Sequence, residues 1–154
     1  MYIQALASFM APGQGMALAL AQLGRMEEAL VEAQAVSRLT GGSPPSLAAV
    51  AGIDAMAGRR REAEEALRKL VAMRAHQYVA PWAIASLCIR LGDHDAAFEW
   101  MERADEERSN ALAYLLVGWW EVAPIRGDPR YRKLLSRVGL DKVPPGAPPL
   151  AASR

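Results

Sequence analysis

The sequence predicts an all-α fold, an α-α superhelix in which three helical hairpins stack and an irregular C-terminal hairpin caps them. The composition favours helices, because Ala, Leu, Arg and Glu dominate and only 6% of the 154 residues are aromatic. Gly24, Gly58 and Gly92 recur at an interval of 34 residues, and a fixed interval of this length is typical of helical repeats. One hairpin of this size cannot bury its own apolar face, so we expect stability to come from stacking.

Each glycine is expected to form the bend of one hairpin. Glycine adopts a left-handed backbone conformation at no steric cost, and it commonly ends a helix in this way. Alanine occupies the positions seven residues before and five residues after each glycine, where we expect the two antiparallel helices to approach closely. These alanines are Ala17, Ala51 and Ala85 before the bends, and Ala29, Ala63 and Ala97 after them.

Apolar residues keep the same interval and are expected to fill the layers between hairpins. They lie eight residues before and twelve residues after each glycine: Met16, Val50 and Ile84, then Val36, Leu70 and Ala104. Asp93 is predicted to cap the helix that follows Gly92, and Pro81 suits the first turn of the helix before it. The predicted helices cover about residues 2–10, 14–23, 26–39, 46–57, 60–75, 80–91, 94–107, 110–120 and 129–137.

The chain is predicted to form one domain over residues 1–140, followed by a tail. Gly127 comes 35 residues after Gly92 and marks the irregular capping hairpin. Residues 143–149 (VPPGAPP) cannot hold a helix or a central strand. The predicted parts are repeats at about 13–41, 47–75 and 81–109, a cap at 110–140, and a disordered Pro-rich tail at 141–154.

The 34-residue interval and the Gly/Ala pattern resemble the tetratricopeptide-repeat (TPR) family over about residues 12–140. The succession YVAP at 78–81, AFEWME at 97–102, ERS at 107–109 and PIRGDPRY at 124–131 looks like the closing TPR block of bacterial multidomain regulators. In that group the block follows an output domain, such as a winged-helix DNA-binding domain. The resemblance implies either the detached sensory or scaffolding end of such a regulator or a stand-alone relative. The sequence departs from the family where Asp54 replaces a large apolar residue.

The resemblance also implies a binding surface for a protein or peptide partner. In TPR stacks the first helix of each pair lines the concave face, which here would be a mostly apolar groove. An amphipathic helix or an extended peptide with apolar anchors is the expected ligand. The basic clamp for an acidic chaperone tail is not expected, since its positions hold Gln14, Ala48 and Trp82. The candidate partner-binding residues are Ala48, Gly52, Ala55, Met56, Val79, Trp82, Ser86, Ile89, Arg90, Trp119 and Trp120.

Two alternatives to peptide binding stay open. Trp82, Trp119 and Trp120 could pack against neighbouring helices instead, as Trp100 is expected to do. The groove or the cap could also be buried in a self-contact, which would make the chain a homo-oligomerisation module, for instance a homodimer.

Composition and charge exclude several function classes. The formal net charge is only +1, from 18 basic and 17 acidic residues, which argues against a dedicated nucleic-acid binder. Cys88 is the single cysteine and cannot form an internal disulfide, so a reducing cytoplasm fits best. No apolar run reaches the 18 residues typical of a membrane span. We therefore expect a cytoplasmic protein with neither nucleic-acid nor membrane partners, and the resemblance to the closing TPR block of bacterial regulators implies that the protein is bacterial.

No residue pattern predicts catalysis, a cofactor or a metal. Asp93-His94-Asp95 lies at a helix start, where capping explains the acid better than metal binding does. Cys88 falls among apolar residues and is expected to be a buried thiol. Residues 41–45 (GGSPP) lack the Lys and Ser/Thr of a phosphate-binding loop and are interpreted as a linker. Residues 126–142 carry six basic and two acidic residues; we prefer a solvated capping helix there to docking on an acidic surface.

Overall fold

The computed structural model describes residues 14–109, Leu112 and residues 121–141. The regular structure in these ranges is helical, and no strand occurs in them. The helices predicted at about 2–10 and 110–120 lie outside the described residues, except for Leu112, and so does the tail from residue 142 onward. The α-helices are α1 (Gln14–Gln22), α2 (Met26–Leu39), α3 (Pro44–Met56), α4 (Arg60–Met73), α5 (Pro81–Leu91), α6 (His94–Glu106) and α7 (Pro129–Arg137), with a 3-10 helix at Ala123–Ile125 before α7.

The predicted all-α fold of helical hairpins is confirmed, and the predicted bounds of the helices within the described ranges agree with the structure to within two residues. The largest difference at a helix start is in α3, which begins at Pro44 rather than at residue 46. The linker interpretation of residues 41–45 was therefore wrong for its two prolines. Proline suits the first turn of a helix, because its missing N–H would have had no partner there and its φ angle is already helical.

The three predicted glycine bends are equivalent in the structure. Gly24, Gly58 and Gly92 adopt φ angles of +77°, +77° and +80°. At each bend the glycine N–H donates to the carbonyl three residues earlier at 3.0–3.3 Å. The next residue's N–H donates to the carbonyl five residues earlier at 2.8–3.0 Å. This pair of bonds satisfies carbonyls that a helix end leaves without partners, so each glycine ends one helix and turns the chain into the next.

The chain divides into two compact units, with the boundary between Val79 and Ala80. In the N-terminal unit, α1 packs against α2 and α3, α2 packs against α3, and α3 packs against α4. Two hairpins are thus stacked there, as predicted for a repeat architecture. In the C-terminal unit, α5 packs against α6, and α6 packs against α7. The predicted single domain over residues 1–140 stays a prediction.

The alanines on either side of the bends lie where the sequence predicted close helix contact. All six are completely buried: Ala17, Ala29, Ala51, Ala63, Ala85 and Ala97. The three apolar residues after the bends are buried as well: Val36, Leu70 and Ala104. The position eight residues before each bend is less regular, because Ile84 is fully buried, Val50 is half-buried and Met16 is 60% exposed. The expectation that Met16 fills a layer between hairpins was therefore wrong.

Candidate functional site

The first candidate surface is on α3 in the N-terminal unit. Two of its predicted binding residues, Ala48 and Ala55, are half-buried, whereas Gly52 is buried. Met56 is half-buried and packs against the core cluster formed by α1, α2 and α3. The two alanines offer a ligand little apolar area and no polar side-chain group. We call Ala48, Ala55 and Met56 the α3 surface.

The second candidate surface is on α5 in the C-terminal unit. Pro81 begins this helix, and Gly92 ends it in the left-handed conformation. Trp82, Ala83 and Arg90 are half-buried, and we call these three residues the α5 surface. Trp82 lies in the first turn of this helix and is half-buried. This partial exposure distinguishes Trp82 from the buried Ile84 two residues later.

The two polar candidates on α5 bind a residue that the sequence analysis missed. The Ser86 hydroxyl donates to Oε1 of Glu121 at 3.0 Å, and Nη2 of Arg90 donates to the same oxygen at 2.7 Å. Ser86 is 7% exposed, and the side chains of Arg90 and Glu121 are 15% and 20% exposed. The carboxylate therefore neutralises Arg90 in a partly dry environment, where such charge-assisted bonds are strong.

The remaining candidate binding residues are either buried or outside the described residues. Val79 and Ile89 are 2% and 3% exposed, so they offer almost no surface to a ligand. The backbone carbonyl of Val79 also accepts a hydrogen bond from Arg74. Trp119 and Trp120 lie outside the described residues. Trp100, which was expected in the core, is half-buried, with the guanidinium of Arg103 4.4 Å from its ring centroid.

Cys88 is a buried thiol, as predicted. It is 1% exposed, and burial raises its pKa to about 12, with the negative charge of Asp93 adding to the shift. A thiol with so high a pKa stays protonated at neutral pH, and the thiolate is the form that acts as a nucleophile or binds metals. The geometry therefore gives Cys88 a packing role.

The residues Asp93, His94 and Asp95 are used in local structure. The carboxylate of Asp93 accepts a hydrogen bond from the N–H of Ala96 at 3.1 Å, which confirms the predicted helix cap. Asp95 forms an ion pair with Arg130 at 2.7 Å. Within the described parts of the chain, no cluster of three or more His, Cys, Asp or Glu side chains could hold a metal ion. No helix in those parts is long and apolar enough to cross a membrane.

These features define a class: an all-α protein of helical hairpins whose bends repeat one glycine geometry. A family model described as tetratricopeptide repeat matches residues 82–110, which run from Trp82 in α5 through the Gly92 bend and beyond α6. That segment is similar to one such repeat, and the match supports the resemblance to the TPR family. No curated protein and no solved structure matches the chain. TPR repeats generally mediate contacts between proteins, and the family is a non-catalytic scaffold.

Proposed function

We propose that the chain is a protein-interaction module of a bacterial regulatory system and that it binds a partner protein through the α5 surface. The similarity of residues 82–110 to a TPR carries this proposal, because binding a protein partner is what TPR domains do. The match begins at Trp82, the residue on this surface with the largest apolar side chain. Buried aromatic anchors commonly supply much of the binding free energy at protein interfaces.

The chemistry of the α5 surface favours a partner segment with an apolar anchor. Trp82 and Ala83 offer apolar area, whereas the charge of Arg90 is already compensated by Glu121 at 2.7 Å. A partner would therefore gain most from apolar contact with Trp82. An amphipathic helix or an extended peptide meets this requirement. The α3 surface is proposed as a second, weaker contact area, since its alanines offer little area each.

The test compares affinity capture by the wild-type chain and by two variants. Trp82→Ala removes the proposed anchor. Tyr78→Ala removes a 70% exposed aromatic residue that lies outside the α5 surface, and it serves as the matched control. We expect a partner that binds the wild type and Tyr78→Ala to be lost with Trp82→Ala. With that partner purified, calorimetry should show a loss of about 2 kcal/mol, or roughly thirty-fold in Kd, for Trp82→Ala alone.

A second readout protects this test from a folding defect in Trp82→Ala. A photo-crosslinking amino acid at position 82 should capture the partner, whereas the same group at position 78 should not. Equal capture at both positions, or equal binding by both alanine variants, would refute the proposal. The alternative function, a homo-oligomerisation module, predicts a different outcome. Light scattering would then show a mass that doubles with concentration in the wild type and stays monomeric in Trp82→Ala.

A further inference from the structure

The outward face of α2, in the N-terminal unit, carries an apolar stripe. Val31, Ala35 and Leu39 follow one another at intervals of four residues, so their side chains lie on one side of the helix. Val31 is 62% exposed, Leu39 is 87% exposed and Ala35 is half-buried. We call these three residues the α2 stripe. The side of α2 that packs into the core is formed by other residues: Ala29, Leu30, Ala33 and Val36.

The repeat itself does not require apolar residues at the positions of the α2 stripe. One and two repeat intervals later, in α4 and in or next to α6, the equivalent residues are mostly charged: Glu65, Lys69 and Met73, then Glu99, Arg103 and Glu107. All five charged residues of this set are exposed. The outward faces of α4 and α6 are therefore solvated, whereas the apolar face at the same place on α2 indicates a binding surface.

One acid and one base beside the α2 stripe have no ion pair. α2 carries four charged residues, and two of them pair with arginines of the same chain, as Glu27 with Arg59 and Glu28 with Arg25. The other two, Glu32 and Arg38, are exposed, and no ion pair joins either of them to a residue in the described ranges. They lie on opposite flanks of the stripe. Residues that meet along a helix are three or four positions apart, so Glu32 and Arg38 cannot pair with each other within one copy.

The stripe and its two flanking charges are complementary to a second copy of α2. Suppose that two copies cross in antiparallel orientation with Ala35 facing Ala35. Val31 of one copy then lies level with Leu39 of the other, because both residues are equally far from Ala35 along the helix. Glu32 of one copy lies level with Arg38 of the other for the same reason. The small side chain of Ala35 allows close approach at the crossing. The surface is thus self-complementary, as a twofold interface requires.

We propose that the chain forms an antiparallel homodimer through the α2 stripe. Val31 and Leu39 of each copy pack against those of the other, and Glu32 pairs with Arg38 across the interface. The charges of α2 and of its two arginine partners are three acids and three bases, so net charge does not oppose the contact. One helix face per copy is small beside the roughly 1,600 Å² of a standard interface, so the dimer is weak and reversible.

This interface goes beyond the proposed function, because it contains none of the candidate partner-binding residues. It also differs from a self-contact of the groove or the cap. The α5 surface therefore stays available to a partner protein in the dimer as well as in the monomer, as far as its own residues are concerned.

Sedimentation equilibrium of the full chain tests the dimer at concentrations from about 10 µM to about 1 mM. We expect the wild type to change from monomer to dimer in this range. Leu39→Glu should raise the dimer Kd at least about ten-fold, because it places a charge in the apolar contact. Leu23→Glu is the matched control, since Leu23 is 73% exposed in the same unit but lies outside the α2 stripe. Its Kd should stay within about two-fold of the wild type.

Charge reversal tests the register of the two helices. Arg38→Glu and Glu32→Arg should each raise the Kd about five-fold or more, because each variant replaces both attractive pairs of the symmetric dimer with repulsive ones. The double variant Glu32→Arg/Arg38→Glu should return to the Kd of the wild type. An equimolar mixture of the two single variants should form a heterodimer, since one copy then carries only bases at these positions and the other only acids.

Further results separate this dimer from other self-contacts. Trp82→Ala should leave the Kd of the dimer unchanged, whatever the fate of the proposed function. Circular dichroism of the α2 variants should match that of the wild type, because the substituted positions are exposed. A wild type that stays monomeric up to about 1 mM would overturn the proposal. So would equal weakening by Leu39→Glu and Leu23→Glu, a double variant that does not recover, or a dimer that Trp82→Ala dissociates.

Discussion

Among the described residues, most of the apolar side chains that are at most 2% exposed are alanines in the N-terminal unit, whereas in the C-terminal unit most of them are larger residues. Ile84, Leu87 and Met101 are at most 2% exposed in the C-terminal unit, and Leu112 and Ile125 join them. In the N-terminal unit, Leu30, Ile53 and Leu70 are the large aliphatic residues in a core otherwise built largely of alanine. The two units nevertheless share the same glycine bend.

This difference shows that the geometry of the repeat and the amount of apolar area buried in the core depend on different residues. Glycine and alanine set the bend and the distance between helices, and both units have them. Burial of apolar area supplies the stabilisation, at roughly 25 cal/mol per Å², and an alanine contributes little area. We therefore expect the C-terminal unit to be the more stable of the two. The match to the TPR model falls within this unit, at residues 82–110.

The largest expected effect compares one repeat position in three copies. Ile84→Ala should cost about 2–5 kcal/mol, because it removes a fully buried side chain and leaves a cavity. Met16→Ala should change stability by no more than about 0.5 kcal/mol, since Met16 is 60% exposed. Val50→Ala should fall between them. Urea unfolding measures the change in stability of all three variants, and circular dichroism follows the unfolding of the whole chain.

Tryptophan fluorescence makes this comparison specific to one unit. All four tryptophans follow residue 80, so their fluorescence reports on the C-terminal unit alone. Ile84→Ala should shift the fluorescence transition to lower urea, and Met16→Ala and Val50→Ala should leave it in place. Equal losses of unfolding free energy for Met16→Ala and Ile84→Ala would show that the two units do not differ in how much apolar area these positions bury.

The sequence predicted the bends, the buried alanines and most helix bounds, because these depend on local chemistry and on a simple interval. The sequence did not predict which helix faces are covered by neighbouring elements. Ser86 was assigned to a partner, yet it donates to Glu121, a residue 35 positions away in the part of the chain where the repeat becomes irregular. The same 35-residue interval separates Gly92 from Gly127, and that signal could have suggested the contact. Exposure depends on every neighbouring element, so a pattern within one helix cannot determine it.

A second prediction compares a partly buried ion pair in the C-terminal unit with an exposed pair in the N-terminal unit. Glu121→Ala should cost about 1–2 kcal/mol, because Ser86 and Arg90 lose a shared acceptor in a partly dry environment. Glu27→Ala should cost less than about 0.5 kcal/mol, since Glu27 is 84% exposed and its 3.0 Å pair with Arg59 is screened by water. Urea unfolding at low and high salt measures both. Equal costs would mean that burial does not strengthen the Glu121 contact.

A third prediction concerns the acid within the N-terminal core. Asp54 is 7% exposed, and its burial raises the pKa of the carboxyl; Glu62 adds to this effect, whereas Arg59 opposes it. A raised folded-state pKa means that the folded state loses stability as pH rises from about 3.9, the usual value, through the raised value. Asp54→Asn should therefore stabilise the chain by about 1 kcal/mol at pH 7. This gain in stability should disappear below pH ~3.5, where the Asp54 carboxyl of the wild type is protonated in both the folded and the unfolded state.

Asp128 in the C-terminal unit provides the control of opposite sign. Its hydrogen bonds from Arg130 lower the pKa of its carboxyl. A group with a lowered pKa contributes stability at neutral pH that is lost as pH falls through the lowered value. Asp128→Asn should thus lose stability relative to the wild type at pH 7 and match it in strong acid, as thermal unfolding across pH would show. If both variants followed the same pH trend, burial would not be the cause of the Asp54 effect.

The smallest expected effects test the bends that the two units share. Arg108 follows the last turn of α6 with a φ angle of +51° and makes the same pair of backbone hydrogen bonds as the glycines. A side chain is strained in this conformation, so Arg108→Gly should stabilise the C-terminal unit by about 0.5–1 kcal/mol. In the N-terminal unit, Gly58→Ala should cost about 1 kcal/mol for the same reason. An added Cβ at Gly58 would meet no atom within 4 Å, so backbone strain is the whole of the expected cost.

Gly127 is the matched control for these bend variants, since it has no left-handed φ angle and its Cβ position is equally open. Gly127→Ala should be neutral or slightly stabilising, because alanine loses less conformational freedom on folding. Thermal unfolding of the three variants gives the comparison. A cost at Gly127 equal to that at Gly58 would assign the effect to lost flexibility in general. A cost at Gly58 alone, together with a gain from Arg108→Gly, would assign it to the left-handed bend that both units use.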